Sequence, residues 1–248
     1  MTTVDSANIS EAWLDAATHL AEPGRDELVP LVVKFRGLST TAIEEHHGIR
    51  AAVDAHLDSA KLQSVETVAS TIFPVSLWNP AEPRAVLFDR YSRILPRLKK
   101  SSPLNRRGLY FERMTTGGPV NEPNQLDFAL NEFSSRRGVR RSVLQIAVFQ
   151  PAVDHSHSAL LGFPCLQHVI FTPVDSELHV CAFYATQYLI ERAYGNYLGL
   201  ARLGQFFAHE LQKELATVTC VAGIGELDAP KTSLRNLLAA CTSVANTE

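Results

Sequence analysis

Phe163-Pro164-Cys165 opens the stretch, running on to Gln205, whose pattern decides the fold. Val169-Ile170-Phe171-Thr172 is β-branched and aromatic, which predicts a strand. Pro173-Val174-Asp175-Ser176-Glu177 supplies turn chemistry. Leu178-His179-Val180-Cys181-Ala182-Phe183-Tyr184 predicts the returning strand. From about Leu189 the period changes, and Leu198, Ala201, Leu203, Phe206 and Phe207 recur at helical spacing. A cysteine, a strand, a turn, a second strand and a long helix therefore follow one another, with Asn196 near the start of the helix.

This stretch resembles thymidylate synthase. The family carries a catalytic cysteine in a Pro-Cys-His motif. A strand and a turn follow, and then the motif Arg-Ser-x-Asp-x-x-Leu-Gly-x-Pro-Phe-Asn opens a core helix. Laid on this chain without gaps, the pattern puts the cysteine on Cys165 and the asparagine on Asn196, 31 residues later. Leu178 falls on the leucine that opens the family's second strand. The family's later Gly-Gly-Asp-x-His-x-Tyr motif falls on Ala222-Gly223-Ile224-Gly225-Glu226-Leu227-Asp228. The frame agrees from about residue 125 to 228, although many letters differ. The resemblance implies an α+β fold in one domain over residues 1–248, with a large mixed sheet flanked by helices. It also implies a homodimer in which the two sheets pack face to face and each site borrows arginines from the partner.

The same resemblance implies chemistry. A pyrimidine is a poor nucleophile at carbon 5. Addition of a thiolate to carbon 6 turns carbon 5 into an enolate carbon that can attack a one-carbon electrophile, which would make Cys165 a covalent catalyst. That role needs a thiolate, and so nearby positive charge; the competing reading is a small buried hydrophobe. Asn196 would read a uracil-type base, because an amide offers one donor edge and one acceptor edge. Its local sequence alone favours a turn or a helix cap. Glu66, on an early helix, is the candidate for the family's proton-relaying glutamate; the alternative is a surface carboxylate. Arg140 and Arg141, just before an expected strand from Ser142 to Phe149, are the candidate phosphate clamp. Arg136 and Arg137 keep the family's Ser-Arg-Arg letters and compete for the role. Arginine suits it because its planar fork binds phosphate bidentately.

Departures from the pattern carry expectations of their own. The motif's phosphate arginine is Ala185 and its serine is Thr186, which keeps the hydroxyl. Its aspartate is Tyr188, its glycine is Arg192, and its Pro-Phe is Tyr194-Gly195. Arg192 is expected to replace part of the lost charge from another direction. The family's ribose-binding histidine and tyrosine become Glu226 and Asp228, two acceptors suited to a 2′,3′-diol. Leu166 stands where the family has histidine after the cysteine. Ser233 to Val244 predicts a final helix, and within this sequence the tail that closes over the family's folate has no counterpart. The implied cofactor is 5,10-methylenetetrahydrofolate, and that missing tail puts its use in question. Three functions follow: a carbon-5 pyrimidine methyl- or hydroxymethyltransferase, a nucleotide-binding or interaction subunit without turnover, or a folate-independent cysteine enzyme on pyrimidines.

Composition sets the outer bounds. The chain has 248 residues, 46% hydrophobic and 20% charged, with net charge −3. Those values belong to a globular protein with a sizeable core and give no electrostatic footprint for nucleic acid. The four cysteines show no zinc-like pairing, and no apolar run is long enough to span a bilayer. A polar Met1–Ser10 segment and unpaired cysteines lead to a cytoplasmic expectation.

The rest of the chain reads as alternating elements. Residues 1–8 are expected to be frayed. Ser10 is expected to cap a helix over Ala12, Trp13, Ala16, Ala17 and Leu20. Leu31–Phe35 predicts a strand, Ser39 to about Asp58 a helix, Gln63–Ile72 a helix and Gln125–Phe133 another. Phe88–Lys100 is basic, with Arg106 and Arg107 beyond it, a pattern that fits an anion site or merely a solvated face. Gly108-Leu109-Tyr110-Phe111-Glu112-Arg113 bears a slight likeness to a family segment and carries no argument. Glu44-Glu45-His46-His47 and Asp154-His155-Ser156-His157 contain metal-ligand residue types, but neither offers a clear ligand set.

Overall fold

The computed structural model describes residues 1–103, 105, 108–118, 121–135, 138–155 and 164–245. Phe163, Arg106, Arg107, Arg136, Arg137, Ser156 and His157 lie outside the described residues. The chain opens with β1 (Thr2–Ser6), α1 (Ile9–Leu20), β2 (Glu27–Leu28) and β3 (Leu31–Phe35). Helices α2 (His47–Ser59), α3 (Val65–Ile72), α4 (Arg84–Ser101), α5 (Tyr110–Thr116) and α6 (Gln125–Ser135) follow. After β4 (Gln145–Ala147) and the short α7 (Pro151–Asp154) comes a central unit of β5 (Leu166–Val174), β6 (Glu177–Tyr188), α8 (Tyr194–Leu211) and β7 (Glu214–Glu226). Helix α9 (Lys231–Ala245) ends the described chain.

One sheet runs in the order β1-β3-β7-β6-β5-β4, with β2 added on β7. β5 and β6 form the antiparallel pair expected from the sequence, and Asp175 takes the left-handed turn conformation at φ 47°. β6 and β7 are parallel, which demands a crossover, and α8 supplies it. β1 and β3 are also parallel, whereas β3 and β7 are antiparallel. The result is a mixed sheet flanked by helices, an α+β architecture.

The core lies between the sheet and α8. Phe207 on α8 stacks on Phe171 of β5 at 3.6 Å between ring centroids. Tyr197 meets Phe35 of β3 at 5.7 Å. Burial of such rings supplies most of the driving force at about 25 cal/mol per Å² of apolar surface. Register places Val32, Val221, Phe183, His168 and Ala147 in one row on the opposite face, and Lys34, Thr219, Cys181 and Ile170 in the next. These residues are partly exposed, and Phe183 is 39% exposed.

Several boundaries differ from the sequence expectation. Residues 2–6 are an edge strand rather than a frayed end, because Val4 and Ser6 turn inward while the backbone pairs with β3. The cap of α1 is Asn8, whose side chain accepts from the N–H groups of Ser10 and Glu11. α2 begins at His47 rather than near Ser39. The Ser39 hydroxyl instead accepts from the N–H groups of Thr41 and Ala42, holding a local turn that competes with the helix. The strand expected over 142–149 shrinks to Gln145–Ala147: Arg141–Val143 is a 3₁₀ turn, and Val148 and Phe149 both donate to the Gln167 carbonyl.

Helix α3 packs on α8 through two glycines. A Cβ on Gly195 would lie 2.5 Å from the Val68 Cβ and 2.8 Å from the Val65 carbonyl. On Gly199 it would lie 2.7 Å from the Ala69 carbonyl. Backbone oxygens cannot rotate away, so the helices would have to separate. Gly199→Val is therefore expected to lower stability by about 1–3 kcal/mol in urea unfolding, and unchanged stability would show that α3 and α8 do not approach this closely.

Candidate functional site

A cavity of about 510 Å³ opens where the end of β6 and the start of α8 meet α3 and α5. Cys165 lines it from the approach to β5, and Thr186, Gln187 and Tyr188 from the last turn of β6. Arg192 and Asn196 line it from the junction with α8, Val68 and Thr71 from α3, and Tyr110 and Arg113 from α5. Of the residues singled out in the sequence, the structure thus brings Cys165, Thr186, Arg192 and Asn196 into one cavity. Gln187 was not singled out, and the Gly108–Arg113 segment was named without an argument. Both reach the cavity through packing, which local sequence does not announce.

The junction between β6 and α8 is not a simple turn. Leu189–Ala193 form a π-helical turn, a wider coil that recurs at functional sites. The carboxylate of Asp228 accepts from the N–H groups of Ile190 and Glu191, each at 2.9 Å. Both oxygens are engaged by orphan donors at the helix start, an arrangement favoured by the helix dipole. Trp13 on α1 donates its indole N–H to the Leu189 carbonyl at 2.8 Å. Asp228 therefore holds the turn that presents Arg192 and Asn196, and it lies outside the cavity lining.

Charges around the cavity are largely paired. Arg192 contacts Glu191 at 2.6 Å and also donates to the Gln63 side chain. Arg113 makes a bidentate pair with Asp154, both contacts at 2.8 Å, with side chains only 10% and 5% exposed. Burial opposes ionisation of Asp154, but Arg113 and the Gln150 N–H outweigh it and hold the carboxyl below its ordinary value.

Cys165 was expected to be a thiolate steadied by positive charge. Burial pushes its thiol above the ordinary value; Arg192 pulls it down, and Glu226 pushes it up again. Burial prevails, so the resting group is the neutral thiol. Burial and the nearby Cys165 also raise Tyr110 to about 12, which keeps its phenol protonated. Glu226 does not line the cavity. It stands opposite Tyr188 in the β6–β7 register, and its charge acts on both Tyr188 and Cys165.

Asn196 is 4% exposed, and its side-chain amide has no hydrogen-bond partner among the described residues.

The remaining candidates lie elsewhere. Glu66 is outside the cavity lining, with a side chain 50% exposed and a bidentate pair to Arg202 at 2.7 and 2.8 Å. That pair lowers its pKa and ties α3 to α8, so within this chain it is a clamp between helices. Arg140 and Arg141 are exposed, and Arg141 donates to the Pro173 carbonyl. Pro173 is near the end of β5 away from Cys165, roughly 23 Å along the strand. Within one chain these arginines are remote from the cavity. Ala185, at the position of the family's phosphate arginine, is exposed and outside the lining. Among the described residues no group of three or more His, Cys, Asp or Glu is arranged to hold a metal ion. Among them, too, no helix is long and apolar enough to cross a membrane.

No protein-family model matches this chain, and no curated protein matches it.

Two outcomes follow from this geometry. The pH profile of Cys165 alkylation should give an apparent pKa above the usual thiol value of about 8.5; Glu226→Gln should lower it and Arg192→Ala raise it. A profile insensitive to both substitutions would contradict the electrostatic account. Asp228→Ala should cost the ligand-free protein about 0.5–2 kcal/mol in denaturant unfolding, whereas a residue held in reserve for a sugar would leave that stability unchanged.

Proposed function

We propose that the cavity binds a uracil-type pyrimidine nucleotide or nucleoside and that Cys165 adds to carbon 6 of the ring, as part of a thymidylate synthase-like transfer of a methyl or hydroxymethyl group to carbon 5. The observation that carries this reading is the meeting of Cys165 and Asn196 in one cavity together with Thr186 and Arg192. The resemblance had aligned these positions by frame alone. The order cysteine, antiparallel strand pair, helix and parallel strand also supports a thymidylate synthase-like fold.

In this account Asn196 reads the base by its free amide. Thr186 offers a hydroxyl and Arg192 a guanidinium to the sugar or phosphate. The Cys165 thiol must lose its proton as it adds. Bond formation from sulfur to carbon 6 moves an electron pair to carbon 5, and later elimination of the thiolate restores the ring. Tyr110, a neutral phenol, provides a donor beside the reacting sulfur.

A cavity of about 510 Å³ suits one ligand of nucleotide size. The lining residues do not also fit 5,10-methylenetetrahydrofolate beside a nucleotide, so a one-carbon donor would need room that this cavity alone does not provide. A second chain supplies one way to enlarge the site. The partly exposed row Val32, Val221, Phe183 and His168 supports a homodimer through that sheet face, with Arg140 and Arg141 offered to the partner's site.

The paired state of Arg192 and Arg113 and the neutral Cys165 thiol favour a second reading, a nucleotide-binding subunit without turnover. Intact-protein mass spectrometry with 5-fluoro-dUMP and 5-fluoro-UMP, with and without methylenetetrahydrofolate, separates the two. The enzyme reading predicts a covalent adduct that Cys165→Ala abolishes. Nucleotide binding without any adduct selects the subunit reading. A ternary adduct would show that folate is used after all.

A further inference from the structure

Gln187 presents an unexplained group in this cavity. It is 1% exposed, lines the cavity, and sits between Thr186 and Tyr188 at the end of β6. Its Oε1 accepts from the Tyr197 hydroxyl at 3.0 Å. Its Nε2 is buried and has no hydrogen-bond partner among the described residues. Tyr197 is fully buried, and desolvation holds its phenol far above the usual range, so it stays a donor. As the amide is placed, its acceptor end is used and its donor end is left over.

A buried amide donor without a partner is unfavourable, and such groups in folded proteins mark bound water or ligand. Asn196, 4% exposed, lines the same cavity, and among the described residues its side-chain amide makes no hydrogen bond. Two amides with open hydrogen-bonding capacity suit a flat heterocycle with a polar edge.

We propose that Gln187 is a specificity-determining residue whose Nε2 donates to a ring carbonyl of the ligand. This rests on the pyrimidine reading above. There Asn196 takes the 4-oxo and N3–H groups, which leaves the 2-oxo oxygen as the acceptor for Gln187. A ligand presenting a donor at that place, or sulfur in place of oxygen, binds more weakly. The carbonyl is thereby checked by a group on β6, independently of Asn196 on α8.

Isothermal calorimetry with UMP, dUMP and their 2-thio and 4-thio analogues tests the assignment. Wild type should bind the 2-thio analogue about tenfold more weakly than the oxo nucleotide, as loss of one buried hydrogen bond requires. Gln187→Met should bind the two alike while keeping the discrimination against the 4-thio analogue, which Asn196→Ala should lose. Gln187→Glu keeps an acceptor for Tyr197 but sets an oxygen against the carbonyl, so it should bind the oxo nucleotide more weakly than Gln187→Met. Thermal unfolding of each variant provides the check on folding, and a misfolded Glu variant leaves the Met comparison decisive. Undiminished 2-thio discrimination in Gln187→Met would overturn the role of Gln187 and leave the pyrimidine reading standing. Wild type that binds none of the nucleotides would overturn that reading and the Gln187 assignment with it.

Discussion

Two N–H groups at the start of a helix point toward the end of β7, and one carboxylate takes both. Asp228 ties the β6–α8 junction to the strand that runs parallel to β6. Without it the π-helical turn would carry orphan donors beside a cavity, and the wider coil would lose its reason to persist. Arg192 lies in that turn and Asn196 in the first turn of α8 behind it, so one capping interaction sets two cavity walls. Trp13 fixes the same turn from the other side through the Leu189 carbonyl. The N-terminal helix and the last strand, far apart in sequence, thus converge on one short segment.

Around the cavity the balance of terms matters more than the presence of charge. A cation near a cysteine lowers the thiol pKa, and burial raises it. Here Arg192 is already satisfied by Glu191 and Gln63, Glu226 opposes it, and burial decides. The site in its resting form is a neutral, hydrogen-bonding pocket with a thiol in its wall. Anion binding would have to compete with carboxylates already held by Arg113 and Arg192. Chemistry that begins with recognition of a neutral base edge is consistent with such a pocket, with the nucleophile engaged afterwards.

What the sequence revealed tracks the range of the interactions involved. The β5–turn–β6–α8 unit was legible because alternation, turn residues and helical period are local signals. Cys165 and Asn196 were singled out by the 31-residue interval between them, and the fold brings both to one cavity. β1 was missed because a polar edge strand that buries only Val4 and Ser6 resembles a free end until β3 is beside it. Glu66 was read for chemistry by its place on an early helix, yet its carboxylate is engaged by Arg202, 136 residues away. Asp228 looked like a free acceptor because its partners are backbone groups, which no side-chain letter announces. Gln187 was invisible for a related reason: a buried, half-satisfied amide is a property of packing.

The central claim is that Cys165 adds to carbon 6 of a uracil-type ring bound in this cavity. Addition makes carbon 5 a carbanion, which takes a solvent proton; loss of the original hydrogen and elimination of the thiolate then return an exchanged pyrimidine. The most direct measurement is proton NMR of UMP and dUMP incubated with the protein in deuterium oxide. The account predicts loss of the carbon 5 hydrogen signal with wild type and its retention with Cys165→Ala. Retention of that signal with wild-type protein saturated by nucleotide would contradict it.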